Sequence, residues 1–332
     1  MTDNLLADSF QRLLEENLTP DHVRKIEAGA PTTALWLEIE QSGFLDALVA
    51  EKEGGAGLGL SDVFPLALLC GRFAVPVPFF QTMLVRAAMA AIGQASPQGQ
   101  IALATGKLMG DQTVLSNALA ARDADWFLLA MENTIQLIPA SNFEVKSGSG
   151  YEKLTARLSI KGSMSPETVL QTDVDWHAAG ALLAAGLMAG AMDRVLEMSV
   201  MFAGDRMQFG RPLGKFQALQ QLISVMAEQT FAAKMAANIG FSADNWKANP
   251  ATAAIAKSRT SESAAIVAAN SHALHGAIGA TEEFDLQLYT RRLHEWRYAF
   301  GGETYWNQRI GRKLLASGNA SVLDDIRAMV SH

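Results

Sequence analysis

The chain has 332 residues, 49% of them hydrophobic and 18% charged, enough to bury a large core divided over two or three lobes. A formal net charge of -7 argues against a nucleic-acid partner, which would require a basic face. Cys70 is the single cysteine and lies in the apolar run FPLALLCGRF, so it is expected as a buried small hydrophobe in a reducing compartment. The N-terminal MTDNLLADSFQRLLEEN lacks a basic segment followed by an apolar one, and no apolar run is expected to span a bilayer; the chain is expected in the cytoplasm.

Apolar side chains recur at helical spacing over 5–17 and 22–28, with Thr19 and Pro20 as cap and first-turn residue, and 36–50 is expected to continue as helix. Gly54, Gly55, Gly57 and Gly59 break the pattern before Ser61 and Asp62 open a helix that ends near Gly71. No strand precedes this glycine-rich run and no lysine follows in the position of a phosphate-binding loop, so it is expected as a turn between helices. Pro76 and Pro78 enforce extended backbone before a helix over 83–93.

From Ile101 the pattern changes to short runs such as IALAT, DWFLLAM, TIQLIPA and LTARLSI, rich in β-branched or alternating residues and separated by Gly, Asn, Asp and Ser. Trp126 within them is expected as a core aromatic. The chain therefore divides into an N-terminal helical domain (1–99), a short β-domain (100–170) and a C-terminal domain (171–332). The last holds four long helices: 175–203, 216–242, 252–275 and 281–299. Small residues Gly180, Gly186 and Gly190 allow close helix approach. Met188, Met192, Met198, Met201, Met226 and Met235 are expected to fill core, and His272 with His275 has no carboxylate pattern that would make a metal site.

Between the first two of these helices lies GDRMQFGRPLGKFQALQQ, with Gly204 as a helix stop. Arg206 offers a planar fork suited to phosphate, and Phe209 an apolar face for a stacked base. The string DRMQFGRPLGKFQ resembles the R-x-x-FG-x-P-(I/L)-x-x-FQ signature of acyl-CoA dehydrogenases. LWLEIEQSGFLDALVAEKEGGAGLGLSD and ALHGAIGATEEFDLQLYTRR resemble the N-terminal and C-terminal segments of the same family, in the same order.

That resemblance implies a mainly α fold with a small β lobe: an N-terminal helical domain, a middle β-domain shorter than usual, and a C-terminal four-helix bundle. It implies FAD, an acyl-CoA substrate, and electron-transfer flavoprotein as electron acceptor. Arg206 would face the flavin pyrophosphate, Gln208 and Phe209 would lie against its ADP portion, and Gln217 would close the loop. Gly276 would be the close-approach glycine of the C-terminal motif, where Ala273 and Ala277 replace the family's Gln and second Gly. The family's base, a Glu that removes the α proton, would fall on Phe300 or, in other branches, near Gly180; neither is an acid. The chain thus resembles the smaller, non-catalytic subunit of bacterial α2β2 acyl-CoA dehydrogenases that act on bulky thioesters such as steroid side chains, with a full-length partner supplying the base. Two alternatives are a self-sufficient homo-oligomer with Glu303 as base, Glu295 being the next nearest acid, and a flavin-free assembly protein of the same fold.

Overall fold

A computed structural model describes residues 5–109, 112–115, 118–131, 134–148, 153–160, 168–170, 173–317 and 321–330. Helices α1 (Leu5–Asn17), α2 (Pro20–Glu27), α3 (Thr33–Gln41), α4 (Leu60–Arg72) and α5 (Phe79–Ala91) come first. Thr19 caps α2 by accepting from the His22 amide, with Pro20 in the first turn where its missing N–H costs nothing. The helix expected over 36–50 stops at Gln41. Gly43 takes φ +78°, a left-handed conformation that helical periodicity does not encode, and only a short 3-10 turn follows. Asp62 caps α4 from inside its first turn, accepting from the Gly59 amide at 2.9 Å.

Strands β1 (Ile101–Met109), β2 (Gln112–Leu115), β3 (Trp126–Met131), β4 (Thr134–Pro139) and β7 (Thr168–Leu170) form a sheet in the order β2-β1-β3-β4-β7. The β1–β3 pair is parallel and the others antiparallel. A separate ladder joins β5 (Phe143–Ser147) to β6 (Ala156–Ile160). Strand alternation gives the larger sheet two buried faces: Ile101, Leu103, Leu128 and Leu137 join the main core, while Ala102, Ala104, Phe127 and Leu129 pack with Phe143 and Leu158 in a second one. Trp126 sits half-buried at the margin of the main core, its indole N–H donating to the Gln98 carbonyl at 3.1 Å.

The C-terminal region holds α6 (Trp176–Asp205), α7 (Gln217–Gly240), α8 (Pro250–His275), α9 (Leu286–Tyr298), α10 (Glu303–Ala316) and α11 (Val322–Val330). Asp175 and Asn249 cap α6 and α8 by accepting from Ala178 and Ala251 amides. α6 is the central helix, packed on α4, α7, α8 and α9. A methyl at Gly190 or Gly71 would collide with the facing backbone of Leu68 or Leu187, so α4 and α6 cross in backbone contact. Contrary to the sequence expectation, α6 is long and apolar enough to cross a bilayer; most of its apolar stretch is buried among these helices. The expected helix from Thr281 begins at Leu286 instead, after a 3-10 segment over Gly276–Ala280. Met201 and Met235 are exposed rather than core, unlike the buried Met188, Met192, Met198 and Met226.

Candidate active and cofactor site

The two ends of α6 carry the two groups of predicted site residues. At its C-terminal end the helix runs one residue past Gly204 to Asp205, and Arg206 leaves it in extended conformation, its amide donating to Phe202 O at 2.9 Å. The chain then makes a two-residue hairpin, β8 (Met207–Gln208) to β9 (Arg211–Pro212). Phe209 (φ +49°) and Gly210 (φ +77°) are its central pair, the two positive angles of a type I′ turn. The Leu213 amide closes the loop onto Arg206 O at 2.8 Å, and the Leu213 side chain anchors it in a small cluster with Ala203 and Leu274.

A left-handed, β-carbon-bearing Phe209 is strained, and its ring is 91% exposed. Arg206, Gln208 and Gln217 are exposed too. Arg211 covers the Phe216 ring at 4.1 Å instead, a cation–π contact absent from the sequence reading. Gly276, which ends α8 at φ +64° and ψ -147°, is brought to the same end of the bundle, because Leu274 packs under the hairpin and His275 stacks on Phe202 at 4.4 Å. No atom lies within 4 Å of where a Gly276 side chain would begin, so its backbone is open to approach. The arrangement presents a fork-shaped cation, a ring and accessible backbone outward, the donor set that suits a nucleotide's phosphates and base. That fits the ADP portion of a flavin docked from outside the bundle.

At the other end of α6, the two family base positions are in contact with each other. Phe300 (φ +54°) and Gly301 (φ +88°) form the turn between α9 and α10. A β-carbon added to Gly180 would fall 2.5 Å from Phe300 Cε1, so the phenyl ring occupies the space that any other residue at 180 would claim. Beside it remains a cavity of about 30 Å³, room for a single water, bordered by Cys70, Gln81, Leu183 and Trp296. Among the described residues none that lines it is acidic. Gln81 is committed, donating to Leu119 O at 2.9 Å and accepting from the Leu103 amide at 2.7 Å. Burial pushes the Cys70 thiol well above its ordinary value, away from nucleophile chemistry.

Neither nearby acid lines this cavity. Glu303 opens α10 and is gripped by Arg297, whose Nε donates at 3.1 Å and whose second nitrogen bonds the other oxygen. That hydrogen bonding holds its carboxyl below the usual range, which makes it a weaker base. Glu295 accepts from Thr155 and pairs with Arg292 at 2.9 Å; Arg292 and Arg291 reach across to Glu27 at 2.9 and 2.6 Å. This buried network, tying α2, α9 and the residue before β6, was missed in the sequence, where its only trace is an Arg291–Arg292 pair inside an otherwise apolar-periodic helix. Lys257, fully buried on α8, was missed as well; it stands as a lone cation in PATAAIAKS.

Comparison with known proteins agrees with this architecture. The acyl-CoA dehydrogenase C-terminal domain profile matches residues 178–315. Acyl-CoA dehydrogenase IpdE2 of Mycobacterium tuberculosis is 30% identical over 294 residues, 87% of this chain and 90% of the relative. IpdE2 of Mycolicibacterium smegmatis is 29% identical over 296 residues, 87% and 91% of the two chains. The ChsE4-ChsE5 complex from Mycobacterium tuberculosis shares the fold at a TM-score of 0.81 and 20% identity, over 96% of this chain and 99% of that one. The chain belongs to the acyl-CoA dehydrogenase family.

Proposed function

We propose that this chain is the non-catalytic subunit of a flavin-dependent acyl-CoA dehydrogenase, pairing with an unlike full-length subunit of the same family in an α2β2 assembly. The observation that carries this reading is the contact of Phe300 with Gly180. Removing a proton α to a thioester carbonyl needs a carboxylate within hydrogen-bond reach. Here both family positions are filled by one phenyl ring, Glu303 is bound to Arg297, and Glu295 to Arg292 and Thr155.

FAD, when bound, supplies the hydride acceptor for α,β-dehydrogenation. This chain's own part is binding: Arg206 to the pyrophosphate, Gln208 and Phe209 to the ADP portion, Gln217 and Gly276 to the loop's closure and the backbone approach. Their exposure supports a cofactor shared with another chain. The named pairs among the structural neighbours, ChsE4-ChsE5 and the Tcur3481-Tcur3483 steroid ACAD, favour an unlike partner, and with it an acyl-CoA bearing a steroid-type side chain. Cytoplasmic location and electron-transfer flavoprotein as acceptor complete the proposal.

Native mass and flavin absorbance per chain test it, on this protein alone and after co-expression with a full-length family member. The expected result is a colourless or unstable lone chain and a heterotetramer with about one flavin per unlike pair. A yellow lone chain that oxidises an acyl-CoA overturns the reading. In that event Glu303→Gln distinguishes the self-sufficient alternative, since loss of activity would assign the base to Glu303.

A further inference from the structure

The Lys257 side chain is fully buried, and its Nζ meets two acceptors: Arg297 O at 2.7 Å and Ser261 Oγ at 3.0 Å. A neutral amine has two N–H groups to give, and both are met; an ammonium has a third. The charged groups that bear on it are Arg297 on α9, which opposes its charge, and Glu303 on α10, which favours it but is already held by Arg297. From the other helices packed on α8 it receives little: α6 has no charged residue over 178–192, its His177 lying against Trp306 and Phe300 with ring centroids at 5.5 and 6.1 Å; on α7 Lys234 pairs with Asp193 while Glu228 is exposed, and on α11 Asp325 accepts from Ser317.

Arg297 O lies three residues before Phe300, at the entry to the turn that seals the cavity. The exit is held by Trp306, whose indole N–H is shared between Phe300 O at 2.9 Å and Gly301 O at 3.1 Å. Two consecutive left-handed residues, one of them a phenylalanine, persist only while such bonds over-determine them.

We propose that Lys257 is a proton-operated latch on the 297–303 turn: the neutral amine holds Phe300 against Gly180, and the ammonium loosens that turn and unseals the cavity beneath it. Burial lowers the lysine from its ordinary value to about 7, which places the transition near neutrality. The latch concerns this chain's own turn and stands whether or not the chain works as a non-catalytic subunit.

Cys70 borders the cavity and is the only cysteine, so its labelling by methyl methanethiosulfonate reports opening. Thiolate supply alone slows labelling about 100-fold from pH 8 to pH 6. Lys257→Met is expected to show that full slope, and the wild-type chain a slope of about tenfold or less, because opening offsets the loss of thiolate. Phe300→Ala should label faster than wild type at both pH values while keeping the full thiolate slope. Equal slopes in wild type and Lys257→Met overturn the latch.

Should Lys257→Met fail to fold, the wild type answers directly through the Lys257 ε-carbon shift and the exchange of the Gly301 amide, which donates to Tyr298 O at 3.2 Å. Both are expected to change together near pH 7. A lysine that titrates only above about pH 9, or Gly301 exchange that follows hydroxide concentration alone, sinks the idea.

Discussion

The two ends of α6 are about 45 Å apart along one helix and have been treated in opposite ways. At the Gly180 end every space is taken: a ring stands where a side chain would start, the adjoining cavity holds about 30 Å³, and both nearby acids are tied to arginines. At the Asp205 end the chain spends backbone strain to hold Phe209 outward, with Arg206 and Gly276 open beside it. One end of the bundle can thus be closed while the other stays open, because the two share only a rigid helix.

The closed end is flanked by ion pairs that join α9 to α2. Arg292 is 3% exposed and joins Glu295 to Glu27; replacing it with Ala leaves buried Glu295 without its arginine and Glu27 with Arg291 alone, and should cost about 3–5 kcal/mol. Urea unfolding measures this, and a loss below about 1 kcal/mol would show that the closure rests on apolar packing instead.

The open end is expected to behave in the reverse manner. Arg206→Ala in the assembled protein should weaken flavin retention about 10- to 100-fold, the value of one charge-assisted phosphate contact. The unfolding midpoint of the flavin-free chain should barely move, since Arg206 makes no ion pair among the described residues. Unchanged flavin content would favour a flavin-free assembly role for this end.

A double-mutant cycle tests whether ring and glycine form one unit. Gly180→Ala drives a methyl into Phe300 and should cost about 1–3 kcal/mol by overpacking. In a Phe300→Ala background the same methyl finds space, so the double variant should be more stable than the two single costs predict, with a coupling of about 0.5–3 kcal/mol. Additive costs would mean that the two residues do not share the site.

What could be read from residues alone followed from how local the cause is. The Thr19 cap with Pro20, the breaks at the glycine-rich turn and the place of the loop between α6 and α7 are set within a few residues, and each was legible. Alignment to the family marked Phe300 and Gly180 separately. That one fills the other's space is a contact across 120 positions, and no spacing rule encodes it. The left-handed Gly43 ended a helix whose periodicity continues, and Met201 and Met235 share the spacing of buried methionines because periodicity sorts faces without saying which are covered. α10 and α11 were not anticipated. Lys257 and Glu27 acquire partners from helices far along the chain, and charge alone does not disclose burial.

The smallest expected effect separates the two ends by pH. His272 and His275 lie in the last turn of α8, and His294 lies on α9. All three are lowered from their ordinary value, first by burial; neighbouring positive charge adds to this, His294 acting on His272, Arg297 on His294 and His272 on His275, where the hydrogen bond to Ser271 O partly opposes it. The sign is fixed: the unfolded chain takes up protons as pH falls below about 6.5 while the folded one resists, so their neutral forms are held without penalty above that value and stability declines below it. Urea midpoints at pH 5.5 should therefore lie below those at pH 7.5. His275 stacks between Phe202 and Phe284 with ring centroids at 4.4 and 5.1 Å, and His275→Phe keeps an aromatic there without a titrating nitrogen. The difference between the two pH values should narrow in that variant; if it does not, the acid sensitivity comes from elsewhere and the hairpin's footing is not its source.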